Sequence, residues 1–262
     1  MKAPGQIVNS SYVKKARQRL LRMHRDAGTG HIGGNLSSLD ALLVCFHEFM
    51  RPQDRFILSK GHSAGALYIA LWSIGRIPDE ELCTFHKDNT RLSGHPPAGC
   101  LPDVPFSTGS LGHGLSLAAG TALALKIRES DGRVICLTSD GEWQEGSTWE
   151  ALIFACHHKL ANLTVLVDHN NLQGFGSTSD VASMSPLWEK LQGFDVDVKV
   201  VDGHNLDELR EKLSENNGKF RIIVMRTVKG KGVSFLENRM DSHYLPLTEE
   251  KFSIAMNELE EK

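Results

Sequence analysis

The stretch 134-VICLTSDGEWQEGSTWE-150 joins an uninterrupted apolar run to an acidic turn. The run has the length and composition of a strand that is covered on both faces, which is typical of parallel sheets. The turn begins with Asp140 and Gly141, and a carboxylate at the end of a buried strand needs a partner. Two interpretations are open on this turn alone: Asp140 caps the helix that follows, or it binds a cation.

A second polar turn follows the next predicted strand, in 163-LTVLVDHNNLQGFG-176. Consecutive parallel strands place their carboxyl ends at one edge of a sheet, so we expect Asp140 and the turn with Asp168 and Asn170 to face one site. Carboxylate and amide oxygens without cysteine suit a hard cation such as Mg²⁺, Ca²⁺ or Mn²⁺. Mg²⁺ rarely fills its coordination shell from protein alone, so phosphate oxygens are the expected remaining ligands.

Short apolar runs alternate with helical patterns along the chain. Strands are predicted at 55–59, 133–138, 163–168, 197–201 and 220–226, and helices at 11–26, 37–49, 63–75, 113–129, 145–159, 206–216 and 248–260. This alternation predicts an α/β fold with a doubly wound, mostly parallel sheet and helices on both faces. Because no repeat or Ser/Pro-rich linker interrupts the pattern, we expect a single domain over residues 1–262.

Composition argues against several classes of partner. The net charge is −3, and the one basic run, 14-KKARQRLLRMHR-25, is interpreted as the solvated face of a surface helix rather than as a nucleic-acid or membrane site. No apolar run reaches the roughly 20 residues of a membrane span, and the N-terminus has no signal-like segment. The five cysteines are odd in number and contain no C-x-x-C pair, which fits a reduced compartment. We therefore expect a cytoplasmic protein.

Several histidines stand in glycine-rich loops, each directly after a glycine. They are His31, His62, His95, His113 and His204. A lone histidine is more often structural than functional, but loops on a rigid scaffold carry function and glycine permits close approach of a ligand. The spacing lacks the i, i+4 or C-x-x-C pattern of a zinc site, so a zinc cage is disfavoured.

These motifs, taken in order, resemble the N-terminal half of a transketolase. The matching stretches are 28-GTGHIGGNLSSLDAL-42, 58-LSKGHSAGALY-68, 93-SGHP-96, 108-TGSLGHGLSLAAG-120, 139-SDGEWQEGSTWEA-151, 202-DGHNLDEL-209 and 226-RTVKGKG-232. Each is weak alone, whereas seven in order over nearly the whole chain are specific. The Ile-Gly-Gly after His31 is more similar to split bacterial and archaeal transketolases than to the single-chain form.

The resemblance implies a thiamine diphosphate site with a divalent metal and a role for each matching residue. The metal would be held by the side chains of Asp140 and Asn170 and by the backbone carbonyl of Leu172. The cofactor would be contacted by His62, Gly109, Ser110, Leu111, Gly141, Glu142 and Lys229. The catalytic set would be His31, His95 and His243 in the substrate channel, with Glu145 as an acid at the subunit boundary.

The sequence also departs from the family pattern. Ser139 replaces the first glycine of the Gly-Asp-Gly motif, and His113 stands where glutamine is usual. Around His243 the chain reads Asp-Ser-His-Tyr-Leu-Pro, where the family has Trp-His-Gly. Nothing after 226-RTVKGKG-232 resembles the pyrimidine-binding domain whose glutamate activates the cofactor. The resemblance therefore implies a separate C-terminal subunit that binds the pyrimidine ring, within a dimer of heterodimers.

The expected activity is transfer of a two-carbon ketol unit from a ketose to an aldose, on a sugar or sugar-phosphate substrate. Two alternatives stay open. In the first, the chain is a subunit of a related thiamine-dependent ketol or acyl transferase, such as a relative of 1-deoxyxylulose-phosphate synthase. In the second, the chain is a non-catalytic subunit that binds thiamine diphosphate. The retained Asp140, Asn170 and histidine set argues against this second alternative.

Overall fold

The computed structural model describes residues 7–261, and its tertiary contacts form two compact units. The first unit takes in the ranges Met1–Met50, His62–Pro96 and Thr227–Lys262. The second takes in Arg51–Gly61 and Pro97–Arg226. The expectation of one domain over 1–262 stays a prediction.

The helices and strands are numbered in chain order. The helices are α1 Ser10–Ala27, α2 Ile32–Val44, α3 Ala64–Ser73, α4 Asp79–Leu82, α5 Gly114–Ile127, α6 Gly146–His157, α7 Thr178–Ala182, α8 Leu187–Leu191, α9 Leu206–Ser214, α10 Asp241–Tyr244 and α11 Glu249–Glu261. The strands are β1 Arg55–Leu58, β2 Val134–Ser139, β3 Leu163–His169, β4 Leu172–Gln173, β5 Gly176–Ser177, β6 Asp197–Asp202 and β7 Arg221–Arg226. A π-helical turn, Cys45–Phe49, continues α2, and short 3₁₀ helices cover Gly61–Ser63 and Gly141–Gln144.

The second unit is built on a parallel sheet with the strand order β1-β2-β3-β7-β6. Each of its central strands is buried along nearly its whole length because both faces are covered. On one face Cys136, Val165 and Val224 form a core with Leu115 of α5 and Leu152 of α6. The chain adds strands in one direction from β1 to β3, crosses to the edge strand β6, and then comes back to form β7 between β6 and β3. The direction therefore reverses between β3 and β7. The carboxyl end of β3 therefore lies beside the point where ligands bind in such sheets.

The first unit is helical. Helix α1 packs against α2, α3 and α11, and α10 packs against α2. Every residue of α2 is buried, and α3 is buried from Ala64 to Leu71. Helices that are buried on all sides belong in the interior of a unit, with amphipathic helices such as α1 around them.

The predicted α/β class and parallel sheet are confirmed, and every predicted strand and helix is present. One boundary was wrong: α2 begins at Ile32, whereas the sequence predicted a helix from residue 37. Gly33 and Gly34 look like loop residues, but the Ser242 side chain of α10 comes so close that a Cβ on Gly33 would meet its hydroxyl at 2.1 Å. The small antiparallel pair β4-β5 and the short helices α4, α7, α8 and α10 were not predicted.

Among residues 7–261, no helix is long and apolar enough to cross a membrane. All five cysteines are free thiols.

Two glycines of α5 should respond in opposite ways to alanine. A Cβ on Gly114 would lie 2.2 Å from the Ser59 side chain and 2.5 Å from its Cα, while a Cβ on the exposed Gly120 meets nothing within 4 Å. Gly114→Ala should lower the free energy of unfolding by about 1–3 kcal/mol through overpacking. Gly120→Ala should raise it by up to about 1 kcal/mol because alanine favours the helix. Urea unfolding measures both, and equal stabilities would mean that α5 can move away from Ser59.

Candidate functional site

The two polar turns meet at the carboxyl edge of the second unit's sheet, as the sequence predicted. Ser139 at the end of β2 is in register with Asp168 of β3, and the Asp140 N–H donates to the Asp168 carbonyl at 3.2 Å. Asp140, Asp168 and Asn170 are 5%, 0% and 4% exposed. The edge of the sheet therefore carries two buried carboxylates and a buried carboxamide. We call Asp140, Asp168, Asn170 and the nearby Leu172 the acidic strand-end cluster.

The carboxylate of Asp140 is held by two backbone groups. Its Oδ1 accepts from the Gly141 N–H at 2.8 Å, and its Oδ2 accepts from the Asn171 N–H at 2.6 Å. The first contact caps the 3₁₀ helix at Gly141–Gln144, so Asp140 does act as a helix cap. This contact uses one of its two carboxylate oxygens. A carboxylate has about four acceptor sites, so these bonds leave it capacity for a cation.

Asp140 lacks full charge compensation within the second unit. Burial, and then the negative charge of Asp168, raise the pKa of Asp140 to about 7, although the backbone hydrogen bonds and Lys60 act in the opposite direction. The anionic form of such a group is stabilised by a cation, and a hard cation prefers these oxygen donors. The donor set thus fits a divalent metal, with the Asn170 amide oxygen and the Leu172 carbonyl as the further groups of the same turn.

Asp168, by contrast, has a basic partner that sequence reasoning missed. Lys60 follows β1, is 1% exposed, and forms an ion pair with Asp168. The Nδ2 group of Asn170 also donates to Asp168, at 3.2 Å, and the Leu172 N–H donates to the Asn170 Oδ1 at 3.1 Å. The motif 58-LSKGHSAGALY-68 contained Lys60, but only contact across the sheet shows that it is buried beside β3.

The buried carboxylate of Glu142 accepts hydrogen bonds from three residues of the second unit. It is 1% exposed, and its carboxylate accepts from the Ser59 hydroxyl, from the Ser139 N–H at 2.7 Å and from the Gly112 N–H at 3.1 Å. Burial raises the pKa of this carboxyl, and the hydrogen bonds from Ser59 and Ser139 oppose that rise. In the structure Glu142 fastens the loop at Gly112, and its contact with a cofactor stays a prediction.

The loop 109–112 itself has a backbone that favours glycine. Gly109 has φ 121° and Gly112 has φ 82°, both in the region that other residues rarely adopt. Ser110 is exposed and Leu111 is half-buried, so the backbone expected to meet the cofactor is accessible in this unit. Glu145, at the start of α6, is also exposed.

Four predicted histidines come together in the first unit. The ring of His31 lies 5.7 Å from those of His62 and His95 and 5.0 Å from that of His243, between ring centroids. His62 and His243 are 5.5 Å apart. We call this set the histidine cluster. His204 and His113 belong to the second unit.

The backbone fixes the histidine cluster. His31 has φ 64°, and its N–H donates to the His243 carbonyl at 2.9 Å. The buried Lys229 approaches His243, with its Nζ 3.0 Å from the His243 Nδ1. Partial burial, and then the nearby His86, lower the pKa of His95. A neutral imidazole at neutral pH can both donate and accept a hydrogen bond, which suits proton transfer.

No group of histidine, cysteine, aspartate or glutamate side chains within 7–261 has the geometry of a metal site with three or more such ligands. The acidic strand-end cluster offers an amide oxygen and a carbonyl oxygen beside its carboxylates, and Mg²⁺ commonly completes a donor set of this kind with water or phosphate.

His86 was missed by sequence reasoning. It does not follow a glycine, and it belongs to the segment before Gly94 and His95. Its ring lies where a Cβ on Gly94 would meet it at 2.8 Å, so only glycine fits there without a shift. The His86 backbone is held in a left-handed conformation, with φ 62°. Only the fold brings it beside His95.

Comparison with known proteins decides the family. The family model described as "Transketolase, thiamine diphosphate binding domain" matches residues 8–260. The chain belongs to this transketolase family. Among curated relatives, the chain is 37% identical to "6-deoxy-6-sulfo-D-fructose transketolase subunit SqwG" of Clostridium sp. (strain MSTE9), over 90% of both chains. It is 35% identical to an apulose-4-phosphate transketolase subunit of Actinobacillus succinogenes, over 93% of this chain and 92% of the relative.

Solved structures agree on the fold. The transketolase from Leishmania mexicana aligns with a TM-score of 0.88 at 26% identity, over 97% of this chain. The alignment covers 42% of that transketolase, so the chain spans less than half of the solved relative. Transketolase family membership thus makes the chain a thiamine diphosphate-binding domain whose size matches that of relatives named as subunits.

The raised pKa of Asp140 should make the metal-free chain less stable as pH rises. An unfolded aspartate has a pKa of about 3.9, whereas folded Asp140 keeps its proton to about pH 7. The contribution of this group to stability is therefore complete below about pH 4 and is lost as pH rises through about 7. In the presence of a chelator, Asp140→Asn should gain stability relative to the unmodified chain between about pH 5 and pH 8, measured by urea unfolding.

The matched control is Asp180→Asn, which changes an exposed aspartate of the same unit. Its stability relative to the unmodified chain should not change over this pH range. A pH-independent difference for Asp140→Asn as well would contradict the assignment of an uncompensated charge to Asp140.

Proposed function

We propose that this chain is the diphosphate-binding subunit of a split transketolase, which transfers a two-carbon ketol unit from a ketose to an aldose. The observation that carries the proposal is the buried, undercompensated carboxylate of Asp140 beside Asn170, in a chain of the transketolase thiamine diphosphate-binding family. A divalent cation with a diphosphate is the ligand that this chemistry favours.

The acidic strand-end cluster would hold the metal, Mg²⁺ or in its place Ca²⁺ or Mn²⁺. Asp140 and Asn170 would supply side-chain oxygens and Leu172 its carbonyl, with Gly141 at the diphosphate. Gly109, Ser110 and Leu111 would meet the pyrimidine ring through their backbone. Glu142 keeps this loop in place through Gly112. When bound, thiamine diphosphate supplies the nucleophilic carbon that ketol transfer requires.

The histidine cluster would serve the substrate and the cofactor. His31, His95 and His243 would donate hydrogen bonds to sugar hydroxyls and transfer protons, and His62 and Lys229 would contact the diphosphate. The lowered pKa of His95 supports this role because a neutral imidazole can accept a hydroxyl proton near pH 7. The relatives' names include a sulfonated and a phosphorylated sugar, so the proposal stops at a ketose donor and an aldose acceptor.

A second subunit would complete the enzyme. The chain aligns with nearly the full length of relatives named as subunits and with 42% of a single-chain transketolase. We propose a C-terminal, pyrimidine-binding partner, whose glutamate activates the cofactor, in a dimer of heterodimers in the cytoplasm. Glu145, exposed in this chain, would then lie at the subunit boundary.

Reconstitution tests the function. The purified chain with thiamine diphosphate and Mg²⁺ should transfer no ketol group, because in this proposal the activating glutamate comes from the partner subunit. Adding a candidate pyrimidine-binding subunit, chosen from a neighbouring open reading frame, should restore transfer between a panel of ketoses and aldoses. Ketol transfer by the chain alone, in a preparation free of host transketolase, would contradict the split-enzyme proposal.

The histidines should separate into two groups in the reconstituted enzyme. His62→Ala should mainly raise the dissociation constant of thiamine diphosphate. His31→Ala and His95→Ala should mainly lower kcat or raise the donor KM, because they would face the substrate. His204→Ala, outside the cluster, is the control and should change neither. Equal loss of cofactor by all three cluster variants would contradict this division.

A further inference from the structure

The buried ion pair of Lys60 and Asp168 stands directly behind the proposed metal ligands. Both side chains are buried, at 1% and 0% exposure, beside central strands that are mostly apolar. Two charges removed from water lose several kcal/mol of solvation each, and apolar residues of similar volume are often no less stable. Such a pair therefore contributes little to stability by itself, which leaves its position beside Asn170 to be explained.

Asp168 fixes the orientation of the Asn170 carboxamide. A carboxylate paired with lysine can only accept a hydrogen bond, so the group of Asn170 that approaches it at 3.2 Å must be the Nδ2 amide. On the other side, the Leu172 N–H must meet an acceptor, which is the Asn170 Oδ1 at 3.1 Å. The two contacts fix the amide in one orientation, with its oxygen on the side of the turn that carries Leu172.

A carboxamide can bind a cation only through its oxygen, because the amide nitrogen is a donor. Rotation by about 180° would put the NH₂ group in the place of the ligand. The charge on Lys60 keeps Asp168 a partnered acceptor, so that Asp168 and Asp140 do not both require the metal to neutralise them. The side chains that surround a metal site commonly determine ligand orientation in this way.

We propose that Asp168 and Lys60 are positioning residues that orient the Asn170 amide oxygen toward a divalent metal bound with thiamine diphosphate. This inference rests on the proposed function. It assigns neither residue as a ligand: Asp168 acts through Asn170, and Lys60 acts through Asp168.

The test measures binding of Mn²⁺ to the full chain in the presence of saturating thiamine diphosphate. The electron paramagnetic resonance signal of free Mn²⁺ reports how much of the ion remains unbound. Lys60→Met/Asp168→Leu removes the pair without leaving an unpaired buried charge and without changing the net charge. We expect the dissociation constant for Mn²⁺ to rise about 10–100-fold, while the urea midpoint stays the same or rises.

Two further variants distinguish positioning from a direct role. In an Asn170→Ala background the same double change should have no further effect on Mn²⁺ binding, because Asp168 acts through Asn170. Adding Asn170→Asp to the double variant should restore affinity at least tenfold, since the two oxygens of a carboxylate are equivalent and need no orientation. An additive loss in the first variant, or no recovery in the second, would overturn the inference.

The matched control is Arg221→Met/Asp197→Leu, which removes a largely buried ion pair at the opposite, amino-terminal edge of the same sheet. It should leave the Mn²⁺ dissociation constant unchanged. If the unmodified chain binds Mn²⁺ but Lys60→Met/Asp168→Leu binds it equally well, the inference is wrong and the proposed function stands. If the unmodified chain binds no Mn²⁺ with thiamine diphosphate, both are wrong.

Discussion

The candidate site of the second unit depends on two negative charges that are buried where neighbouring parallel strands end. Asp140 and Asp168 stand on neighbouring strands with almost no exposure to water, and their mutual repulsion contributes to the raised pKa of Asp140. Asp168 is neutralised by Lys60, whereas within residues 7–261 the Asp140 carboxylate accepts hydrogen bonds from the backbone N–H groups of Gly141 and Asn171 and has no ion-pair partner. That asymmetry leaves one carboxylate compensated by the fold and the other available for a cation.

Much of this edge could be predicted from the sequence. The apolar runs before Asp140 and Asp168 identified two strands, and the parallel alternation of strands and helices placed their turns together, as the register of Ser139 with Asp168 confirms. The partners of these groups could not be predicted, because they come from distant parts of the chain. Lys60, which follows β1, reaches Asp168, and the Glu142 carboxylate accepts a hydrogen bond from the Gly112 N–H.

The histidine cluster shows a different limit. Spacing after glycine singled out His31, His62 and His95 as loop residues, but nothing in that pattern brings their rings within 6 Å of one another; only the family resemblance suggested a shared role. His243 lies in a divergent stretch, and the structure nevertheless joins it to His31 through a backbone hydrogen bond and to Lys229 through its ring. His243 thus lies in the histidine cluster although the sequence around it differs from the family pattern.

The most direct measurement of the central claim is calorimetry of thiamine diphosphate binding to the chain with Mg²⁺ near pH 7, repeated in buffers of different ionisation enthalpy. A metal that neutralises Asp140 must displace its proton, so the observed heat should depend on the buffer. Asp140→Asn should lose both the Mg²⁺-dependent affinity and the proton release, and Asp180→Asn should lose neither. Binding of equal strength in a chelator, or proton release that persists in Asp140→Asn, would contradict the account.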